Sequence, residues 1–277
     1  MYSTIIDSVS LQDNLEASDW VIVDSRYVLT DKEAGYRAYL DGHIPGAVYA
    51  DLETDLSAPQ GAAGRHPLPD ASRMTAVFSG LGIGPEAQVV VYDDACGSIA
   101  ARLWWMLHFM GHEAAAVLDG GWQEWTAQGG PVEGGARRNT PAVFRGAPRQ
   151  DWLTLVEEVP AVARLIDARA PERYRGEHEP FDPVAGHIPG AVNYHWQRNL
   201  DEQGRFRPEA ELRRDWLALL DGCPAGKAAC YCGSGVTACH NLLAAARAGL
   251  PLPRLYAGSW SEWCQDPERP VATGAQP

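Results

Sequence analysis

Gly42-His43-Ile44-Pro45-Gly46-Ala47-Val48 recurs unchanged as Gly186-His187-Ile188-Pro189-Gly190-Ala191-Val192. The likeness extends outward from both copies. Upstream, Val21–Arg26 reads VIVDSR where Arg164–Arg169 reads RLIDAR. Downstream, Val89-Val90-Val91-Tyr92 has its counterpart in Ala228-Ala229-Cys230-Tyr231, and Gly121-Trp122-Gln123-Glu124-Trp125 in Ser259-Trp260-Ser261-Glu262-Trp263. Four matches in one order, 143 residues apart at Asp24 and Asp167 and 144 apart at Gly42 and Gly186, describe a duplicated domain. The stretch Gly130–Pro148 is rich in Gly, Pro and Arg, and we divide the chain there into residues 1–135, a linker over 136–148, and residues 149–277.

Each copy alternates short apolar runs with helical patterns. In the first copy Trp20–Val23, Gln88–Tyr92 and Ala115–Leu118 read as strands. Glu33–Leu40, Ala71–Leu81 and Ala100–Phe109 read as helices. The second repeats the plan, with strands at Arg164–Ile166, Ala228–Tyr231 and Arg254–Tyr256 and helices at Glu209–Leu220 and Val236–Ala248. Short, continuously apolar strands interleaved with helices predict an α/β fold, each domain a mostly parallel sheet flanked by helices. Functional sites of such sheets gather at the carboxyl ends of the strands.

Composition narrows the function. The 277 residues suit two domains, and 45% hydrophobic with 21% charged residues excludes a disordered or fibrous chain. A net charge of −13 weighs against nucleic acid or a membrane surface as partner. No stretch reaches the roughly 18 consecutive apolar residues of a membrane span, and the first residues lack a secretory pattern. A cytoplasmic site is therefore expected, where thiols stay reduced. Five of the six cysteines, Cys223, Cys230, Cys232, Cys239 and Cys264, follow Gly222. They show no paired zinc spacing, so neither a metal nor another cofactor is expected. That leaves buried apolar cysteines or one reactive thiol among inert ones.

The reactive candidate is Cys232, in Tyr231-Cys232-Gly233-Ser234-Gly235-Val236-Thr237. It follows a buried strand and precedes a helix. Gly233 and Gly235 let successive N–H groups converge there, and with the helix N-terminus these favour an anion and hence a thiolate. A buried cysteine in a tight turn is the bland alternative. A cysteine phosphatase would use the same cradle, but with an arginine to clamp its dianion, and none stands between Cys232 and Leu243. In the first copy Asp93 takes the place of Cys232, so only the second domain is expected to be catalytic. Cys96 reads as a non-catalytic loop thiol, and Cys223, Cys230 and Cys239 as packing. Asp24, Asp167, His43 and His187 occur in both copies and read as architecture. Trp122, Trp125, Trp260 and Trp263 read as helix-to-sheet packing, with Trp260 also a candidate for the pocket mouth.

Taken together, the repeat, both GHIPGA blocks, CGSGVTA, GGWQEW and GSWSEW resemble the two-domain rhodanese sulfurtransferases over nearly the whole chain. The resemblance implies that Cys232 takes a sulfane sulfur from a small anionic donor, holds it as a persulfide, and gives it to a thiol, cyanide or a thioredoxin-like protein. The Cys-Gly-Ser-Gly-Val-Thr form of the loop is similar to that of the 3-mercaptopyruvate sulfurtransferase branch. Thiosulfate:cyanide sulfur transfer by the same persulfide is the alternative, and a sulfur-relay module without turnover the non-enzymatic one. By this resemblance Ser234 joins His66 and Glu53, both expected from the first domain, in moving a proton. Arg173 binds the donor's charged end, and the backbone of Gly233, Gly235, Val236 and Thr237 receives the anion. Phe181 stands where mercaptopyruvate users carry a second arginine, with Arg175 as a candidate substitute. A monomer or weak homodimer is expected.

Overall fold

The computed structural model describes residues 1–277. The chain divides into two compact units, one of Met1–Ala58, Pro69–Arg149 and Gln203–Arg205, the other of Pro59–Leu68, Gln150–Glu202 and Phe206–Pro277. The first unit contains β1 (Ile5–Ile6), α1 (Ser8–Gln12), β2 (Trp20–Asp24), α2 (Ala34–Asp41), β3 (Val48–Tyr49), α3 (Ala71–Gly80), β4 (Gln88–Tyr92), α4 (Ala100–Phe109), β5 (Ala115–Leu118) and α5 (Gly121–Ala127). The second contains β6 (Arg164–Asp167), α6 (Pro171–Tyr174), β7 (Ala191–Asn193), α7 (Glu209–Leu220), β8 (Ala228–Tyr231), α8 (Thr237–Arg247), β9 (Arg254–Leu255) and α9 (Ser259–Trp263).

Both sheets are parallel throughout. Their orders are β1-β5-β4-β2-β3 and β7-β6-β8-β9. Superposing β2 on β6 and β4 on β8 makes the two orders coincide, β1 being an added edge strand of the first unit. Every residue of β4 and of β8 is buried, which is why their sequences carry no alternation. Helix α4 is buried all round and correspondingly has no polar face.

The duplicated GHIPGA blocks tie each loop to its sheet. His43 stacks on Tyr39 with ring centroids 4.2 Å apart and meets the Tyr39 carbonyl through Nδ1 at 2.8 Å; His187 does the same with Tyr174, at 3.7 and 2.7 Å. The N–H of Ile44 donates to the Tyr92 hydroxyl, and that of Ile188 to Tyr231, both at 3.2 Å. Gly46 and Gly190 share a φ of 82°, a left-handed turn conformation that favours glycine. Asp24 and Asp167 brace the following loop through Arg26 and Arg169, whose guanidinia also reach the carbonyls of Gly42 and Gly186.

The units depart from the division at the linker. Residues 136–148 contain no regular element and pack with the first unit. Pro59–Leu68, inside the first repeat by sequence, packs with the second. Its contacts there are backbone-tight: Arg65 N–H donates to Ser261 Oγ at 3.0 Å, and a Cβ on Gly64 would stand 2.8 Å from the Gly258 carbonyl oxygen. No helix is long and apolar enough to cross a membrane.

Candidate active site

Strand β8 ends at Tyr231 and α8 begins at Thr237, so Cys232–Val236 form the turn at the carboxyl edge of the second sheet. Gly235 adopts φ 75°, and a Cβ there would lie 2.2 Å from the Ala257 carbonyl oxygen, so only glycine fits. Cys232 is buried, its N–H donates to Ser259 Oγ at 3.1 Å, and its carbonyl accepts from Trp260 N–H at 3.0 Å. Ser259 holds a left-handed φ of 56° without being glycine; the corresponding Gly121 has φ 59°. The second unit thus places a hydroxyl where the first has only backbone, and that hydroxyl holds the Cys232 amide.

The corresponding turn of the first unit explains why it carries no nucleophile. Asp93 Oδ1 accepts from the N–H groups of Ala95 and Gly97, and Oδ2 from those of Ile99 and Ala100, all four at 2.8 Å. The loop at the start of α4 is an anion cradle, and its own carboxylate fills it. At the equivalent place the second unit has Cys232.

His66 is buried and its Nδ1 lies 2.8 Å from Ser234 Oγ, also buried. Both belong to the second unit, because His66 lies in the Pro59–Leu68 segment. By sequence His66 lies in the first copy of the repeat, and its segment packs in the second unit. Glu53 belongs to the first unit, where it accepts from the Tyr27 hydroxyl and pairs with Lys32 at 2.9 Å.

Arg173, on α6, makes a bidentate pair with Glu179 (Nη2–Oε1 2.7 Å, Nε–Oε2 3.1 Å) and also reaches Asp182 at 3.3 Å. A Cβ on Gly233 would meet Arg173 Nη1 and Nη2 at 3.4 Å, so this guanidinium borders the residue next to Cys232. Arg65 borders it as well, with Nη2 3.2 Å from the same point, and is held by Asp182 at 2.8 Å. Both guanidinia lie over the Phe181 ring, at 5.1 Å for Arg173 and 5.6 Å for Arg65. Arg175 instead forms an exposed pair with Glu177 at 2.7 Å. Arg65 was missed by the sequence reading; its neighbour His66 was the available signal. Burial raises the Asp182 carboxyl above its ordinary range, against the downward pull of Arg65 and Arg173.

The remaining cysteines divide by environment. Burial pushes the Cys230 thiol far up and the Cys264 thiol to about 11, which keeps both protonated and inert. Cys239 Sγ donates to the Gly235 carbonyl at 3.4 Å, packing α8 on the loop. Cys223 is only half-buried, 3.5 Å from the Pro224 carbonyl, rather than a packing residue: the turn after α7 leaves it at the surface. Trp260 is fully buried, its indole N–H on the Val184 carbonyl and the Arg169 guanidinium 4.7 Å from its ring, so it is not at a pocket mouth.

The family described as Rhodanese-like domain matches residues 8–128 and 150–266. A Pseudomonas aeruginosa protein named "Probable 3-mercaptopyruvate sulfurtransferase" is 48% identical over 279 residues, covering 98% of each chain. The thiosulfate sulfurtransferase of Bos taurus is 34% identical over 254 residues, 87% of this chain and 84% of that one. Among solved structures, the 3-mercaptopyruvate sulfurtransferase from Leishmania major superposes with a TM-score of 0.83 at 33% identity, covering 95% of this chain and 74% of that one.

Proposed function

The chain belongs to the rhodanese-like family, with two copies of its domain, and on that footing we propose that it is a sulfurtransferase taking sulfur from 3-mercaptopyruvate through a Cys232 persulfide. The observation that carries the donor assignment is the buried 2.8 Å contact between His66 Nδ1 and Ser234 Oγ, two residues beyond Cys232. Thiosulfate releases sulfite, a stable anion that needs no proton. Mercaptopyruvate releases the enolate of pyruvate, which does.

The step balances without an added oxidant. The Cys232 thiolate attacks the donor's sulfur, an S–S bond forms, and the carbon–sulfur bond breaks with its electron pair on the pyruvate enolate. The donor's thiol proton ends on the methyl carbon of pyruvate, leaving a persulfide anion on Cys232. Ser234 and His66 relay that proton. The N–H groups of Gly233, Gly235, Val236 and Thr237 receive the developing negative charge, and Arg173 holds the donor's carboxylate. A thiol, cyanide or a thioredoxin-like protein then removes the outer sulfur. The role of Glu53 rests on the family resemblance alone, and Glu53→Gln kinetics test it. The names of the Pseudomonas and Leishmania relatives support the mercaptopyruvate reading.

Steady-state kinetics of the wild type and Cys232→Ser with 3-mercaptopyruvate and with thiosulfate test the proposal. Activity with mercaptopyruvate, abolished by the substitution, is expected, with an adduct of about 32 Da confined to Cys232 in intact-mass spectra. A variant that keeps its activity refutes the mechanism, and a strong thiosulfate preference reverses the donor.

A further inference from the structure

We propose that Arg65 is a donor-binding and specificity-determining residue, the second cation of the pocket, supplied by a segment remote in sequence from the loop that holds Arg173 and Phe181. The inference rests on the sulfurtransferase reading above. A planar guanidinium binds a carboxylate best through the parallel N–H groups of Nε and Nη2. In Arg173 that edge is already taken by Glu179. In Arg65 the bonds to the chain are made by Nη1, to Asp182 Oδ1 at 2.8 Å and to the Phe181 carbonyl at 3.3 Å. Its Nε is buried and has no acceptor, and Nη2, on the same edge, is the atom that approaches Gly233. A buried guanidinium donor without an acceptor is costly in a folded protein, and the carboxylate of the donor supplies what that edge lacks.

Two neighbours fix the geometry. Asp182 bridges the two arginines, Oδ1 on Arg65 and Oδ2 on Arg173, so neither swings away. Phe181 lies under both guanidinia. An arginine at position 181 would put a third cation against them; the aromatic ring instead gives them a common floor. Glu179 pairs with Arg173 and also with Arg169, and Asp182 with both Arg65 and Arg173, so each guanidinium of the pocket already faces a carboxylate. That combination favours a carboxylate monoanion over a dianion.

The test compares wild type, Arg65→Gln and Arg65→Lys by steady-state kinetics with 3-mercaptopyruvate, and by calorimetric titration with pyruvate, which carries the same carboxylate but no sulfur. Melting curves check that the variants fold. Arg65→Gln is expected to raise KM and the pyruvate dissociation constant about 10- to 100-fold, with kcat changed less than about threefold. Arg65→Lys, which keeps the charge and loses the fork, recovers only part of each. A folded Arg65→Gln protein whose pyruvate affinity stays within about threefold of wild type overturns the proposal. If the wild type takes no sulfur from mercaptopyruvate, the functional reading falls, while the pyruvate titration still decides the role of Arg65.

Discussion

Replacing His66 with Gln separates the two donors. The imidazole lies 2.8 Å from Ser234 Oγ, and the two residues are 3% and 7% exposed, so bulk water is poorly placed to take over a lost proton path. A positioned acid–base group contributes about 10²- to 10⁴-fold, some 3–5 kcal/mol of barrier. The fold loses far less: a neutral hydrogen bond such as the one to Ser234 contributes about 1 kcal/mol, and each bond of that kind shifts the melting temperature by a few degrees. Transfer from 3-mercaptopyruvate, where the enolate must gain a proton, is therefore expected to slow about 10²-fold or more. Transfer from thiosulfate, where sulfite leaves unprotonated, should stay within about threefold. Single-turnover loading of Cys232, followed by intact mass with each donor, measures both rates on one protein. Equal losses with the two donors would mean that His66 merely shapes the loop, and no loss with either would remove it from the mechanism.

Asp93→Asn tests the filled cradle of the first unit: an amide keeps one acceptor oxygen and turns an NH2 toward two of the four N–H donors. At about 1–3 kcal/mol for each orphaned donor, calorimetry should show a loss of about 2–6 kcal/mol while persulfide formation on Cys232 persists. Ser259→Ala removes the acceptor of the Cys232 amide and keeps a Cβ at φ 56°, whereas Ser259→Gly removes the same acceptor and relieves the backbone. The Gly variant should therefore be about 1 kcal/mol more stable than the Ala variant in denaturant titrations, and equal stabilities would contradict this. Burial lowers the folded-state pKa of His112, so the unfolded chain takes up its proton first as pH falls. Its contribution to stability is present above the unfolded value of about 6.5 and is lost as pH falls through the lower folded value. The stability difference between wild type and His112→Gln, followed by melting across that acidic range, should move against the wild type as pH drops; a constant difference would refute it.

Strands β4, β5 and β8 and helix α7 fall where their sequences place them, because each is an uninterrupted apolar run or a clear amphipathic period. The edge strands β1, β3 and β7 span only two or three residues and leave no such pattern. The match between Asp93 and Cys232 was legible from the repeat. That Asp93 collects four backbone donors was not, because a loop's path depends on tertiary packing rather than on local preference. The largest gap concerns Arg65. Its segment is Gly- and Pro-rich and lacks periodicity, and its partners Asp182 and Ser261 lie more than a hundred residues downstream. Nothing local marks it as part of the second unit. Position along the chain therefore leads to Phe181 rather than to Arg65.

The placement of Pro59–Leu68 has a consequence for how this chain can be divided. Severing it between residues 136 and 148 yields a C-terminal fragment that holds Cys232, Ser234 and Arg173 but leaves Arg65 and His66 on the other piece. Such a fragment would carry the thiol with only one of the two arginines proposed to hold the carboxylate and only one member of the Ser234–His66 pair. The duplicated halves are thus no longer interchangeable parts. Ten residues that belong to one copy in the order of the chain pack with the other in space, so a cut at the linker does not separate the two units cleanly.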